Sequence, residues 1–492
     1  MMNKKYVILG GGSAGWMTAI SIKKMFPLAS VTVIQSKSVG IIGVGEATTP
    51  HIVNFLNHHD IDPLEIVRQT NGTIKNGISF ENWNGDGNQY FHSFFENIQK
   101  FRIPGIFEHS CEDFYKKTLI AKGLPFNEYL YQQRLAYSGK VDLTNTTWAI
   151  HFDATKFANA LEDHAKIRGI NVVEGNFKNC IQNENGFIKT IVLENNQEVD
   201  CDFVFDCTGF ARLLIGKVFK EEWVSYNKFL PAKQAIPFWL ESEPKIHPYT
   251  KSIAMKYGWM WNIPLQHRLG AGYVFDSDYV SVDQAKEEVE KYLGQEIEVR
   301  KVIDFEAGRH KNVWVKNCMA VGLSANFIEP LESTSLWLTQ TQLLLFKQFI
   351  NEIDNPTDKG LELFNKIIGN EVDEKSYFVY IHYLTKRTDS EFWKNFKENN
   401  PVPDALKSKL ELIKNSSIKK YDIEDALTPS IFPLHSYLEV CGGLGLFEKP
   451  MNMTNYENIT PSPNEYKELI NKVIQTVPTH QELLTHLQKG KP

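Results

Sequence analysis

The tightest constraint on this chain lies in its first 35 residues. Residues 5–9, KYVIL, are a short apolar run that stops at Gly10-Gly11-Gly12, and residues 14–26 place Trp16, Met17, Ile20 and Met25 near helical spacing. Residues 31–35, VTVIQ, are rich in β-branched side chains and predict a second buried strand parallel to the first. Strand, tight turn, helix and strand make a βαβ unit, and that unit implies a doubly wound sheet. Gly10-x-Gly12-x-x-Gly15 occupies the turn, where glycine permits a sharp bend and lets backbone approach a pyrophosphate lying on the helix N-terminus. The acid that usually holds the adenosine ribose roughly 20 residues further on is replaced by Gln35, whose amide still hydrogen-bonds to hydroxyls. No arginine stands nearby for the 2′-phosphate of NADP, so the unit predicts a dinucleotide other than NADP.

The remaining 457 residues of the 492 are enough for a large two-lobed body. Lysine and arginine total 53 against 59 acidic residues, a net charge of −6, which excludes a nucleic-acid footprint. The basic Met1–Lys5 segment is followed by too short an apolar run for a signal peptide, and nowhere do about 18 apolar residues run together, so no membrane association and a cytoplasmic location are expected. The six cysteines are scattered without a C-x-x-C pair, fitting buried thiols in a reducing compartment and no metal site. His58, His59 and His151 are read as structural or surface histidines.

Further apolar strands are predicted at 187–193, 203–207 and 319–322, and residues 220–280 alternate as an antiparallel sheet would. From Leu336 onward the period becomes helical, with Pro356, Pro401 and Pro403 as punctuation. The expected fold class is therefore α/β: a doubly wound, Rossmann-like sheet, an antiparallel second sheet and a mainly helical C-terminal lobe. The expected division is residues 1–345, including an aromatic-rich insertion at 84–150, and residues 346–492.

Asp206-Cys207-Thr208-Gly209 and Gly322-Leu323-Ser324 close two later strands, an arrangement that resembles FAD monooxygenases and favours FAD over NAD. Three further segments narrow the resemblance: Gly43-Val44-Gly45-Glu46-Ala47-Thr48-Thr49-Pro50, Trp259-Met260-Trp261-Asn262-Ile263-Pro264 and Glu329-Pro330-Leu331-Glu332-Ser333-Thr334. Together with Asn71-Gly72-Thr73-Ile74-Lys75, His151-Phe152-Asp153-Ala154 and Gly272-Tyr273-Val274-Phe275, they resemble the flavin-dependent tryptophan halogenases, in order and over most of the chain.

That resemblance implies an FAD-dependent halogenase in which reduced FAD, delivered by a separate flavin reductase, reacts with dioxygen and bound halide to give hypohalous acid. The acid then travels through an internal tunnel to a distant aromatic substrate. Implied cofactor contacts are Gly10, Gly12, Ser13, Ala14, Gly15, Gln35, Gly45, Glu46, Ala47, Leu323 and Leu336. Lys75 matches the family's essential lysine, which orients the electrophile by a hydrogen bond or as a haloamine, and Glu332 matches its active-site glutamate. Halide is expected on the amides of Thr334 and Ser335, the latter standing where the family usually has glycine, so chloride and bromide both stay open. Trp259 and Trp261, with Ile263 and Pro264, are the expected barrier between the two sites.

His92 and Phe94 match residues that sandwich an aromatic substrate. Pro433 stands where tryptophan-specific members carry a stacking Trp, which argues against free tryptophan and for neutral indoles or phenols. An FAD-dependent aromatic hydroxylase and an inactive flavin-binding homologue are the alternatives, and a homodimer is compatible with the sequence.

Overall fold

The computed structural model describes residues 4–36, 47–94, 131–354, 356–399, 401–419, 422–423, 432–449 and 463–490. Lys5–Leu9 lies at the middle of a six-stranded sheet, parallel to Phe203–Asp206 on one side and to Ser30–Gln35 on the other. Cys318–Ala320 and Asn171–Glu174 extend the parallel order outward, and the short antiparallel strand Trp314–Val315 ends it. Almost every residue of Lys5–Leu9 and Phe203–Asp206 is buried, as expected where helices cover a parallel sheet on both faces. Helix Ser13–Met25 packs on helices Ala154–Ile167 and Ser335–Gln348. Asp153 caps Ala154–Ile167 by accepting from the Thr155 and Lys156 amides.

The strand expected at 187–193 forms as Ile188–Leu193, but it joins Phe177–Gln182 and Glu198–Asp200 in a separate antiparallel sheet. A tight turn at Asn196, φ 64°, folds it back on its neighbours. Its apolar side chains still reach the main core, where Ile191 and Leu193 cluster with Val7 and Val204. Trp223–Ser225 likewise leaves the expected second sheet and pairs with Gly308–His310.

The second sheet has seven strands in the order Ile303–Asp304, Gln234–Leu240, Leu269–Phe275, Gly258–Pro264, Thr250–Ala254, Gly77–Glu81 and Gln89–Ser93. It is antiparallel, as predicted, except where Thr250–Ala254 runs parallel to Gly77–Glu81. Gly258–Pro264 and Leu269–Phe275 are buried at every position, so both faces are covered. Helix Val282–Leu293, held at its start by a Ser281–Gln284 capping box, covers one of them through Ala285 and Val289. The helical C-terminal region follows as expected, in Glu391–Asn399, Asp404–Lys414, Leu434–Leu444, Pro463–Thr476 and His480–Lys489.

Two compact units result, each assembled from three stretches: the described residues of 1–70, 152–226 and 306–373 form the first, and those of 71–151, 227–305 and 374–492 the second. This interleaving differs from a cut at residue 345, because strand pairing rather than chain order decides which segments share a core. Of the 84–150 stretch, Gln89–Ser93 and helix Tyr131–Tyr137 belong to the second unit, and 95–130 lie outside the described residues. Cys201, Cys318 and Cys441 are buried free thiols and Cys180 and Cys207 are partly buried, while Cys111 lies outside the described residues. Among the described residues no helix is long and apolar enough to cross a membrane.

Candidate active site

In the first unit the glycine loop is built by backbone contacts. Gly10 has φ 121°, and a Cβ there would lie 2.2 Å from the Cys207 carbonyl oxygen. A Cβ on Gly15 would lie 1.9 Å from the Gly10 carbonyl oxygen, so this glycine lets the helix rise directly against the strand end. Gly12 differs: a Cβ there meets nothing within 4 Å, leaving open space in front of the first turn of Ser13–Met25. Two glycines thus shape the loop and the third opens it, the arrangement needed for a pyrophosphate on helix amides. Gln35 ends the next strand beside Gly11, and its Nε2 donates to Glu162 Oε1 at 3.3 Å. Ala47 is partly buried, and Gly45 and Glu46 lie outside the described residues.

Asp206 serves the fold: its carboxylate accepts from the Thr208 hydroxyl and from the amides of Thr208, Leu214 and Ile215. Gly322, φ 68°, brings the short turn that contains Leu323 against Ala14. Downstream, Pro330–Glu332 forms a single 3₁₀ turn, and Ser333 enters the left-handed region at φ 57° before helix Ser335–Gln348 begins. Glu332 is 2% exposed. The first amides of that helix, starting at Ser335, have no intrahelical acceptors, and Leu336 stands in the same turn. Thr334 caps it without a side-chain bond, and its buried Oγ1 has no hydrogen-bond partner among the described residues. Free amides at a helix N-terminus beside a buried hydroxyl suit a small anion.

In the second unit, Lys75 ends the strand Thr73–Lys75, which pairs with Ala149–His151 and sets small Ala149 opposite the lysine. Lys75 is 0% exposed, and its Nζ lies 5.4 Å from the centroid of the Phe94 ring. His151 is buried beside it, and burial, with the charge of Lys75, holds its imidazole well below the usual histidine range. His92 lies in the strand Gln89–Ser93, and Phe94 follows directly after its end. The His92 ring lies 5.5 Å from Phe378 and 5.9 Å from Phe432, which stack on each other at 3.9 Å. Burial and the neighbouring His92 push His435 down to about 3.

Trp259 and Trp261 are buried with ring centroids 6.2 Å apart. Met260 between them joins the core with Phe238 and Tyr273 under helix Val282–Leu293, so alternation turns both indoles to the opposite face. Gly272 pairs with Trp261, and a Cβ there would lie 2.1 Å from the indole, so the glycine makes room for the ring. Ile263 is buried, and the carbonyl of Pro264 accepts from the Thr73 hydroxyl at 2.7 Å.

A family model described as tryptophan halogenase matches residues 5–456. The chain belongs to the tryptophan halogenase family. Tryptophan 6-halogenase SttH of Streptomyces toxytricini is 31% identical to it over 480 residues, covering 90% of this chain and 89% of the relative. Among solved structures, BrvH, a flavin-dependent halogenase from Brevundimonas sp. BAL3, superposes with a TM-score of 0.86 at 29% identity, over 98% of this chain and 99% of that one. Xcc4156, a flavin-dependent halogenase from Xanthomonas campestris, gives 0.89 at 28% identity over 99% of both chains. The protein is thus a flavin-dependent halogenase by family, with the α/β fold of its relatives.

Within this halogenase, several residues around the expected ones carried no sequence signal. Glu439 is buried, and its two oxygens accept from the Ser93 amide and hydroxyl, both at 2.6 Å, fixing the strand between His92 and Phe94. His480, 406 residues after Ile74, accepts the Ile74 amide proton at Nε2. Asn76, directly after Lys75, has a fully buried side-chain amide with no hydrogen-bond partner among the described residues. Gly272 alone had a readable cue, a glycine inside a strand pattern.

Proposed function

We propose that this protein forms hypohalous acid from reduced FAD, dioxygen and halide and uses it to halogenate a small, electron-rich aromatic, an indole or a phenol. The observation that carries the proposal is Lys75, an amine with no exposed surface beside the ring of Phe94. Burying a lysine is costly, which supports a chemical role for this one at the position the family resemblance marks. When bound, the reduced flavin, supplied by a separate reductase, provides the electrons that let dioxygen oxidise the halide.

The chain's own residues do the rest. The Gly10–Gly15 loop and the open face at Gly12 suit the pyrophosphate, and the amides of Thr334 and Ser335, with the unpartnered Thr334 hydroxyl, suit the halide. Lys75 orients the electrophilic halogen, either by donating a hydrogen bond to hypohalous acid or by carrying the halogen on its nitrogen. An arene C–H and hypohalous acid become a carbon–halogen bond and water. Glu332 takes the ring proton or stabilises the cationic ring that precedes its loss. Trp259 and Trp261 separate the aromatic from the flavin.

The groups around His92 support this choice of substrate class. Phe378 and Phe432 are apolar, His435 is neutral, Pro433 offers no aromatic ring, and both oxygens of Glu439 hold Ser93. Apart from Glu439, already engaged by Ser93, these groups offer nothing to pair the charges of an amino acid, which favours a neutral aromatic. Mass spectrometry of an aromatic panel incubated with the enzyme, a flavin reductase, NADH, FAD and mixed chloride and bromide tests this. Halide-dependent mass shifts on indoles or phenols are expected. Oxygen insertion independent of halide would replace the proposal with a hydroxylase, and preference for free tryptophan would overturn the substrate class.

A further inference from the structure

The two-stranded ribbon Thr73–Lys75 and Ala149–His151 carries the lysine, yet three residues are too few to hold a strand in place by their own ladder. What fixes it is a buried chain of hydrogen bonds whose direction can be deduced. Thr73 Oγ1 carries one proton and donates it to the Pro264 carbonyl oxygen, which can only accept. Its 2.8 Å contact with His151 Nδ1 therefore requires that nitrogen to hold the proton and donate to the hydroxyl. In the neutral ring Nε2 is then bare, and it accepts from Thr250 Oγ1 at 2.9 Å. The neutral form is the one that burial and the charge of Lys75 favour. All three side chains are buried.

The order Thr250 → His151 → Thr73 → Pro264 ties the ribbon to two strands of the seven-stranded sheet. Thr250 begins the strand beside Gly77–Glu81, and Pro264 ends the strand that bears Trp259 and Trp261. Thr73 and Lys75, two residues apart, leave the ribbon on the same face, so the anchored hydroxyl and the ammonium share one side. His480 adds a backbone anchor: its Nδ1–H donates to the Ile246 carbonyl, which leaves Nε2 to accept from the Ile74 amide.

We propose that Thr73 and His151 are positioning residues for halogen transfer, setting Lys75 in register with the two-tryptophan strand so that hypohalous acid is passed to the aromatic rather than lost. The inference rests on the reading of Lys75 given above. Neither residue touches the substrate; both act through the placement of the lysine.

The test is the ratio of halogenated indole to free oxidant, the latter scored by a chromogenic 1,3-diketone in solution, with bromide, FAD, NADH and a flavin reductase. Thr73→Val is nearly isosteric but can neither donate to Pro264 nor accept from His151. It is expected to lower the ratio about ten-fold while flavin oxidation continues, since small misplacement of a reacting group costs rate steeply. Thr73→Ser, which keeps the hydroxyl, should restore most of the ratio. Should Thr73→Val not fold, Thr250→Val removes the far donor and is expected to lower the ratio about two- to three-fold, a smaller displacement of the same kind. A purely structural role would lower thermal stability and leave the ratio unchanged, and that result overturns the proposal. If the parent protein halogenates nothing, the functional reading fails separately. Hydrogen exchange over residues 71–76 still decides the anchor: faster exchange in Thr73→Val than in Thr73→Ser supports it, and equal exchange refutes it.

Discussion

In the unit that carries the glycine loop, the prepared surface is backbone; in the unit that carries Lys75, it is side chains. Gly10, Gly12 and Gly15 act by lacking a Cβ, and the start of Ser335–Gln348 offers amides. Around Lys75 the same precision comes from Phe94, His151 and Thr73, with the strand of the two tryptophans tied to Thr73 through the Pro264 carbonyl. The difference follows from what is bound. A pyrophosphate or halide is satisfied by N–H groups that any sequence possesses, provided the chain bends correctly, whereas orienting a halogen needs one particular amine held in a dry place.

Several measurements would break or sharpen that contrast. Lys75→Ala should show the largest effect, a loss of halogenated product on the order of 10³-fold with flavin binding and flavin oxidation preserved. Retained halogenation would remove the lysine from the chemistry. Gly10→Ala tests the backbone side. A methyl group 2.2 Å from the Cys207 carbonyl at φ 121° should cost about 3 kcal/mol and release FAD, measured by thermal shift and flavin fluorescence. If the variant binds flavin normally, the loop is more pliant than its contacts imply.

A third measurement concerns acid. Burial holds His480 down to about 4, against 6.5 when unfolded, so the unfolded chain takes up the proton first. The stability tied to a neutral His480 is complete above pH 6.5 and is lost as pH falls from 6.5 to about 4. This is a loss on the order of 3 kcal/mol, and His151 adds to it in the same direction. Urea titrations across that range should show it, and His480→Gln should flatten the slope. The smallest effect is expected from Gly272→Ala, whose methyl would lie 2.1 Å from the Trp261 indole. It should cost about 1–3 kcal/mol by overpacking and raise the free oxidant relative to product. Unchanged partition would argue against the indole as a barrier.

The glycine loop, the first strands and the helix at Ser335 were legible because each is encoded within a few residues, by spacing and by a missing side chain. The burial of Lys75 was not, since a lysine in a short polar-looking segment normally faces water, and only the family resemblance of its neighbours pointed to it. Ile188–Leu193 was legible as a strand but not as a member of the right sheet, because periodicity states that a segment is extended and not which edge it meets. Glu439 and His480 were silent for the same reason. A carboxylate on one helix and an imidazole on another acquire a role only when Ser93 and Ile74 arrive beside them.

By itself the sequence determined a βαβ opening with a dinucleotide-type glycine turn, a chain without a long apolar span, and the set of chemically capable groups. The tertiary structure decided which of those groups lost their water and which partners they found. It made Lys75 a buried amine, His151 a neutral link between two threonines, and Glu439 a clamp rather than a free charge. Local conformation depends on neighbours in the chain, whereas burial and hydrogen-bond direction depend on segments hundreds of residues apart closing on one another.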